Sequence, residues 1–351
     1  MKTYVEAIRD TQRELMRKND KVVLYGVGVP DHAAVFGTVE GLAEEFPGRV
    51  LDAPLAEDSL VGMGLGMAMG GLHPINIHIR ADFLLLAMNQ VVNMAASYRQ
   101  FTGEPIPLTI RAIVGRGWGQ GWHHSKSMMS TFAHVPGLKV AVPATPQDAQ
   151  DALVLAVNGL EPTIIFEHRW LYSATGNVEH RERPDYRPQR LDNAEPVDVQ
   201  IVAVGRMVAE AAQAVAILKK AGVKAGVVNM RYLSPLYRGA LGQQVGFLDK
   251  PPCKKVVIAE GDWRDYGGGA EIAASLYESA QALSLPVQIR RVGWANLHVP
   301  TSLAGERSVY CSARDIVDAA GDLMGLSCDA IEKAAEGIIP IDHEHPFKGP
   351  F

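Results

Sequence analysis

Two adjacent histidines, His123 and His124, sit in "GRGWGQGWHHSKS", a thirteen-residue stretch with four glycines and two tryptophans. Glycine at that density is incompatible with an ordinary helix interior and lets backbone approach a ligand closely. An imidazole pair there suits proton transfer. It does not suit metal binding by this chain alone, because no HxxxH or HExxH spacing accompanies it and the other histidines are dispersed. The residue types leave open whether both histidines, one or neither act. A second candidate is Glu57 in "LAEDSLVGMGLG", an acidic residue between a strand pattern and a glycine-rich helix pattern. Open α/β sheets bind ligands at such points. Glu57 and Asp58 also suit the positive end of a helix, so capping is the competing reading. Phe83 in "IRADFLLLAMNQ" reads locally as a core aromatic, with Arg80 and Asp82 as a salt bridge or a solvated strand end. Gly26 and Gly28 in "YGVGVP" form only a GxG. The third glycine of a dinucleotide fingerprint does not arrive, and no P-loop is present.

The elements around these residues alternate. "KVVLYGVG", "HPINIHI", "PLTIRAIVG", "LKVAVPAT" and "PTIIFEH" read as buried strands. Between them run helix patterns over residues 3–18, 59–71 and 83–100 and over "TPQDAQDALVLAVN", where Thr145 can cap and Pro146 fits the first turn. Strands that are apolar almost throughout, alternating with helices, predict a parallel sheet covered on both faces. Residues 176–198 are polar and proline-containing and read as a linker. The alternation then resumes from "VQIVAVG" to "ARDIVDAAGDLMG". The expectation is an α/β protein with two open, mostly parallel sheet domains flanked by helices, spanning 1–175 and 199–327, and a tail over 328–351.

Composition narrows the function classes. The chain has 351 residues, 47% of them hydrophobic, and a net charge of −5. That mixed, mildly acidic balance points neither to nucleic acid nor to an anionic membrane as partner. Its three cysteines, Cys253, Cys311 and Cys328, are scattered and read as free thiols of a reducing compartment. The N-terminal pattern is a charged amphipathic helix and not a signal peptide, and no window reaches the ~18 apolar residues of a membrane span. The expected location is cytoplasmic.

Several segments occur together in a familiar order: "APLAEDSLVGMGLGMAMGGLHP", "ADFLLLAMNQVVNMAASYR", "HSKSMMSTFAHVPGLKVAVPATPQDAQDAL" and "PTIIFEHRWLY". With "RYLSPL", "VVIAEGDWRDYGGGAEIAA" and "PVQIRRVG" they resemble, over residues 3–325, the beta subunit of the thiamine-diphosphate-dependent 2-oxoacid dehydrogenases of pyruvate, branched-chain and acetoin type. The resemblance implies a pyrimidine-binding domain followed by a transketolase C-terminal-like domain. It implies half of a cofactor site, completed by an alpha subunit that holds the diphosphate and Mg2+ through a motif this chain lacks, in an alpha2-beta2 heterotetramer that works with a lipoyl acyltransferase. Relatives hold a potassium or other structural ion near residues 158–165.

The same resemblance assigns roles. Glu57 matches the glutamate that bonds the aminopyrimidine ring nitrogen, which displaces the capping reading. Phe83 matches the aromatic that lies against the pyrimidine, and Leu55 joins the cofactor-binding set. His124 matches the histidine that handles protons at the reactive carbon, whereas His123 has no counterpart. The departures are Arg80 in place of an apolar residue, Lys126 in place of glutamine, and the bulky Trp118 and Trp122. Together with His123, Arg80, Trp122 and Lys126 are the candidates for reading the substrate. The expected reaction is decarboxylation of a 2-oxo acid with acyl transfer to a lipoyl carrier. The alternative is a two-subunit ligase or transketolase-like enzyme with an aldehyde or sugar acceptor, because added positive charge could hold a carboxylate or phosphate. A third reading, a non-catalytic scaffold, sits poorly with the presence of Glu57 and His124.

Overall fold

The computed structural model describes residues 1–31, 33–115, 121–192 and 196–339. Twelve strands form its two larger sheets: β1 (Val22–Gly26), β2 (Val50–Asp52), β3 (His73–His78), β4 (Thr109–Val114), β5 (Lys139–Ala141), β6 (Thr163–His168), β7 (Gln189–Arg190), β8 (Val199–Ala203), β9 (Ala225–Asn229), β10 (Tyr232–Ser234), β11 (Lys255–Trp263) and β12 (Gln288–Trp294). The first sheet has the order β10-β5-β6-β4-β3-β1-β2 and the second β12-β11-β8-β9-β7. Every pairing in them is parallel except β10 with β5 and β7 with β9. The α/β class with two mostly parallel sheets is therefore observed. The central strands are buried along their whole length, which is why they read as near-continuous apolar runs.

Local sequence explains the helices. α1 (Tyr4–Lys18) starts at a capping box made by Thr3 and Glu6 and buries Tyr4, Ile8, Gln12, Leu15 and Met16 on one stripe. α2 (Glu57–Met69) packs on β1 so closely that a Cβ at Gly64 would meet the Tyr25 Oη at 2.0 Å. Gly64 therefore serves close packing, whereas a Cβ at Gly66 would meet nothing within 4 Å. α3 (Pro146–Val157) has the Thr145 cap and first-turn proline foreseen for it. The helical segment 81–102 is less regular than its pattern: Ala81–Ala87 is a tight 3-10 turn, Asn89–Ala95 a wide π turn and Ala96–Thr102 an α-helix. In the second domain α4 (Met207–Lys220), α5 (Gly268–Ala282) and α6 (Ala313–Met324) flank the sheet.

Two regions depart from their sequence patterns. Residues 189–190, within the polar stretch expected as a linker, form β7 on the edge of the second sheet. Cys328–Ala335, at the start of the segment read as a tail, forms a further helix, α7, capped by Ser327. Residues 340–351 lie outside the described residues. The second half of the chain also returns to the first sheet, where β10 pairs with β5. Beside it the buried Arg231 donates to Asp148 at 2.8 Å and Asp151 at 2.5 Å of α3, clamping the two domains. No helix among the described residues is long and apolar enough to cross a membrane.

Candidate active site

The order of the first sheet puts β2 and β3 on opposite sides of β1, so strand addition reverses there. A crevice opens at the carboxyl ends of the strands where this happens. The loops leaving β2, β3 and β4 carry the candidate residues.

Glu57 is the first residue of α2 and only 9% exposed. It does not cap that helix. The N-cap is Ala56, without a side-chain bond, and the Ser59 N–H is taken by Asp58 Oδ1 at 2.7 Å. Among the described residues the Glu57 carboxylate accepts no hydrogen bond. Its oxygens are not among the fully buried, unpartnered atoms, so they stay open to a donor from water or a ligand. Leu55, two residues earlier, is 76% exposed in the single chain.

After β3 the chain turns inward. Arg80 is buried, and its Nη1 donates to the Ile79 carbonyl at 2.9 Å. Its guanidinium lies 5.8 Å from the Phe36 ring centroid, over which Arg169 stacks at 3.7 Å. Burial, then the nearby Arg169 charge, pushes the Arg80 pKa down to about 10. Phe36 is held there by a left-handed run of three residues, Ala34 to Phe36, after β1. Asp82 is buried, and that burial pushes its carboxyl up to about 6, against the opposing pull of Lys126. Of the two local readings of this charged pair, a salt bridge holds for Asp82, but its partner is Lys126, with Nζ 3.3 Å away.

The glycine loop leaves β4. Its residues 116–120, Trp118 among them, lie outside the described residues. From Gly121, at φ +70°, the chain makes a tight turn. The Gly121 carbonyl accepts from the His124 N–H at 3.3 Å and the Ser125 hydroxyl at 2.8 Å. That turn separates the two histidines. His123 is exposed and faces Trp122, whose Nε1 donates to His123 Nε2 at 3.1 Å; Trp122 itself is 48% exposed. His124 is half-buried and meets the Phe83 ring edge-on, with centroids 5.4 Å apart and planes at 84°. Its Nδ1 is buried without a hydrogen-bond partner. Burial first, then the charges of Arg80, His123 and Lys126, holds the His124 pKa below its ordinary value, so the ring is neutral at neutral pH.

The structure thus brings Phe83, His124, Asp82 and Lys126 together, with Glu57 on the adjoining loop. It separates Trp122 and His123 from them as an exposed ring pair. Sequence reasoning missed Arg169 and Phe36. Arg169 directly follows β6, so its position at the carboxyl edge was legible; the left-handed turn that delivers Phe36 has no glycine to announce it. Among the described residues no group of three histidine, cysteine or acidic side chains could hold a metal ion. The residues do fit an aromatic heterocycle with a basic ring nitrogen, through an undonated buried carboxylate, an aromatic ring and a neutral imidazole.

Two sheets of this kind, with ligand-ready polar atoms where the first reverses, define a transketolase-type two-domain chain. Residues 1–175 match the family described as transketolase, pyrimidine binding domain, and residues 192–316 that described as transketolase, C-terminal domain. The chain is 31% identical over 326 residues to the pyruvate dehydrogenase E1 component subunit beta-1, mitochondrial, of Oryza sativa, covering 91% of this chain and 85% of that one. It is 32% identical over 280 residues to the 2-oxoisovalerate dehydrogenase subunit beta of Bacillus subtilis, covering 79% and 84%. Identity to the acetoin:2,6-dichlorophenolindophenol oxidoreductase subunit beta of the same organism is 31% over 339 residues, covering 91% and 96%. Among solved structures, a split gene transketolase, described as an inactive beta4 tetramer, superposes with a TM-score of 0.74 at 25% identity, covering 92% of this chain and 98% of that one. The chain belongs to the transketolase-type family of dehydrogenase E1 beta subunits, a thiamine-diphosphate-dependent family.

Proposed function

We propose that this chain is the beta subunit of a heteromeric enzyme that decarboxylates a 2-oxo acid and passes the acyl unit to a lipoyl carrier. The observation that carries the reading is a largely buried carboxylate without a protein donor among the described residues, Glu57, which opens α2 at the same carboxyl edge of the sheet as the His124–Phe83 contact. When bound, thiamine diphosphate supplies the nucleophile for the 2-oxo carbonyl and the electron sink for decarboxylation. Glu57 would bond the aminopyrimidine ring nitrogen, with Phe83 against the ring and Leu55 as a further contact. His124, neutral because it is partly buried beside cationic groups, would accept and return a proton at the substrate oxygen. Arg80, buried and cationic beside His124, suits the substrate's carboxylate. Trp122, His123 and Lys126 would form the rim of the site.

An alpha subunit would supply the diphosphate and Mg2+ sites in an alpha2-beta2 assembly, with a lipoyl acyltransferase as a further partner. The exposed Met63, Met69, Leu86 and Met94 on α2 and the 81–102 segment support burial against another chain. The reading keeps domain limits of 1–175 and 199–327, and with the likeness comes a structural cation near residues 158–165. Three free cysteines support a cytoplasmic or otherwise reducing compartment.

The likeness to a split transketolase, together with Arg80, favours one second reading, transfer to an aldehyde or sugar acceptor. The test is reconstitution with an alpha chain, a 2-oxo acid, and lipoyl domain or sugar acceptors offered separately. Acylation of the lipoyl domain supports the dehydrogenase. Product formed only with aldehyde or sugar overturns it in favour of the second reading, and no turnover with any acceptor overturns both.

A further inference from the structure

Lys126 makes more contacts with the protein than a cation reserved for substrate should. Its ammonium carries three N–H groups. One donates to the Trp122 carbonyl at 2.5 Å, across the turn that holds His123 and His124. Another reaches Asp82 Oδ1 at 3.3 Å. The backbone N–H of Lys126 reaches the same oxygen, also at 3.3 Å. One buried carboxylate therefore grips the loop twice, and the ammonium grips the loop to itself. Asp82 is the immediate neighbour of Phe83, the ring that His124 meets edge-on. The loop after β3 and the loop after β4 are joined at the point where their two functional rings touch.

We propose that Lys126 and Asp82 are positioning residues that fix His124 against Phe83, and that Lys126 is not a substrate-binding cation. The inference rests on the functional reading of His124 given above. Its physical basis is local. Among the described residues, the turn 121–126 is otherwise held by two bonds to the Gly121 carbonyl and one from Trp122 Nε1 to His123 Nε2. The Lys126–Asp82 bonds are the polar tie between the turn and the Phe83 loop, beside the His124–Phe83 ring contact. Both partners are largely withdrawn from water, with side-chain exposures of 18% for Lys126 and 6% for Asp82, so the link is weakly screened by salt.

The test compares Lys126→Met, Asp82→Asn, Lys126→Arg and the swap Asp82→Lys with Lys126→Asp, each in the full chain and in the reconstituted complex. Amide hydrogen exchange over residues 121–128 of the chain is the first readout. It should rise about tenfold in Lys126→Met and Asp82→Asn and return toward the parent in Lys126→Arg. In the complex, kcat should fall about tenfold in both loss variants, with KM for the 2-oxo acid within about threefold, as expected for a displaced catalytic group. Exchange and kcat unchanged in Lys126→Met would overturn the proposal. So would a KM raised tenfold at unchanged kcat, which would make Lys126 a substrate ligand. Thermal melting identifies a loss variant that fails to fold, and the other loss variant and Lys126→Arg then decide. Glu57→Gln serves as the separate control. Should it retain full activity, the functional reading fails, while the exchange measurement still judges the Lys126–Asp82 link by itself.

Discussion

Two sets of polar side chains lie in the first domain, at different heights relative to the same sheet. Midway along β4 and near the end of β6, Arg111 and Glu167 form a two-pronged ion pair at 2.5 and 2.8 Å, both essentially inaccessible. Gln12 of α1 accepts from Arg111 at 2.9 Å, and Tyr172 donates to Glu167 at 2.8 Å. At the carboxyl ends of the strands, the largely buried Glu57 and the buried Nδ1 of the half-buried His124 have no such partners among the described residues. Burial alone therefore does not mark a site. The first set satisfies itself within the chain and reads as architecture, whereas the second leaves acceptors open at the crevice, as the proposed site requires.

The difference predicts opposite outcomes for two substitutions. Glu57→Gln should reduce activity of the reconstituted complex about 10³-fold, as loss of a proton-tuning carboxylate does, while leaving the melting temperature of the chain almost unchanged. Arg111→Met should leave Glu167 charged and unpaired in the core, which costs about 3–5 kcal/mol and lowers the melting temperature by on the order of 10 °C. Activity per folded molecule should survive. Thermal melts and steady-state rates on the same preparations check both. A Glu57→Gln chain that melts like Arg111→Met would erase the distinction.

The two regions also differ in how legible they are in sequence. The fold follows from period and composition. The buried strands β1, β3, β4, β6, β8 and β11 are apolar runs, α1 has its Thr3–Glu6 box, and α3 has Thr145 and Pro146. Long-range pairings leave no such trace. Arg111 and Glu167 lie 56 positions apart, and only their oddity as charges inside "PLTIRAIV" and "PTIIFEH" hints that they meet. β10 was missed because three residues carry no period, and its partner β5 lies some ninety positions upstream. At the site, local chemistry misleads. Glu57 looks like a helix cap, yet Asp58 does that work; Phe83 looks like core; and nothing local separates His123 from His124. Their expected roles came from the order of whole segments. The Asp82–Lys126 link crosses 44 positions and was visible only once the loops were folded.

A third buried carboxylate sharpens the contrast. Glu260 in β11 is 1% exposed and accepts one backbone N–H, from Gly269, at 3.0 Å. Burial, with a smaller push from the Asp262 charge and despite the Gly269 bond and the positive Arg291, raises its carboxyl to about 8. The folded chain then holds a proton that the unfolded chain releases near its ordinary value of 4.5. Because the native state binds more protons between those values, stability falls as pH rises from about 4.5 to about 8, at no more than about 1.4 kcal/mol per pH unit. Glu260→Gln, which keeps a hydrogen-bonding group without the charge, should flatten this part of the stability profile. Denaturant melts at half-unit pH steps measure it. An unaltered slope in Glu260→Gln would assign the dependence to other groups.

The smallest effect is expected where the sequence posed its sharpest ambiguity. His123 and His124 are adjacent and identical in type, and they differ only in what the turn at Gly121 presents them to. His124 is turned inward, edge-on to Phe83, where burial, and after it the charges of Arg80, His123 and Lys126, holds its pKa below the ordinary value. His123 is turned outward, with its ring 4.8 Å from that of the exposed Trp122 and its Nε2 taken by the Trp122 N–H. Removing an exposed ring of this kind changes little. His123→Ala should therefore leave kcat within about twofold and the melting temperature within about 1 °C, while His124→Ala lowers kcat about 10²-fold with the chain equally stable. Equal losses in the two variants would mean that His123 shares in the chemistry instead of only framing the rim of the site. The boundary between satisfied and unsatisfied polar groups would then have to be drawn with the partner subunit in place.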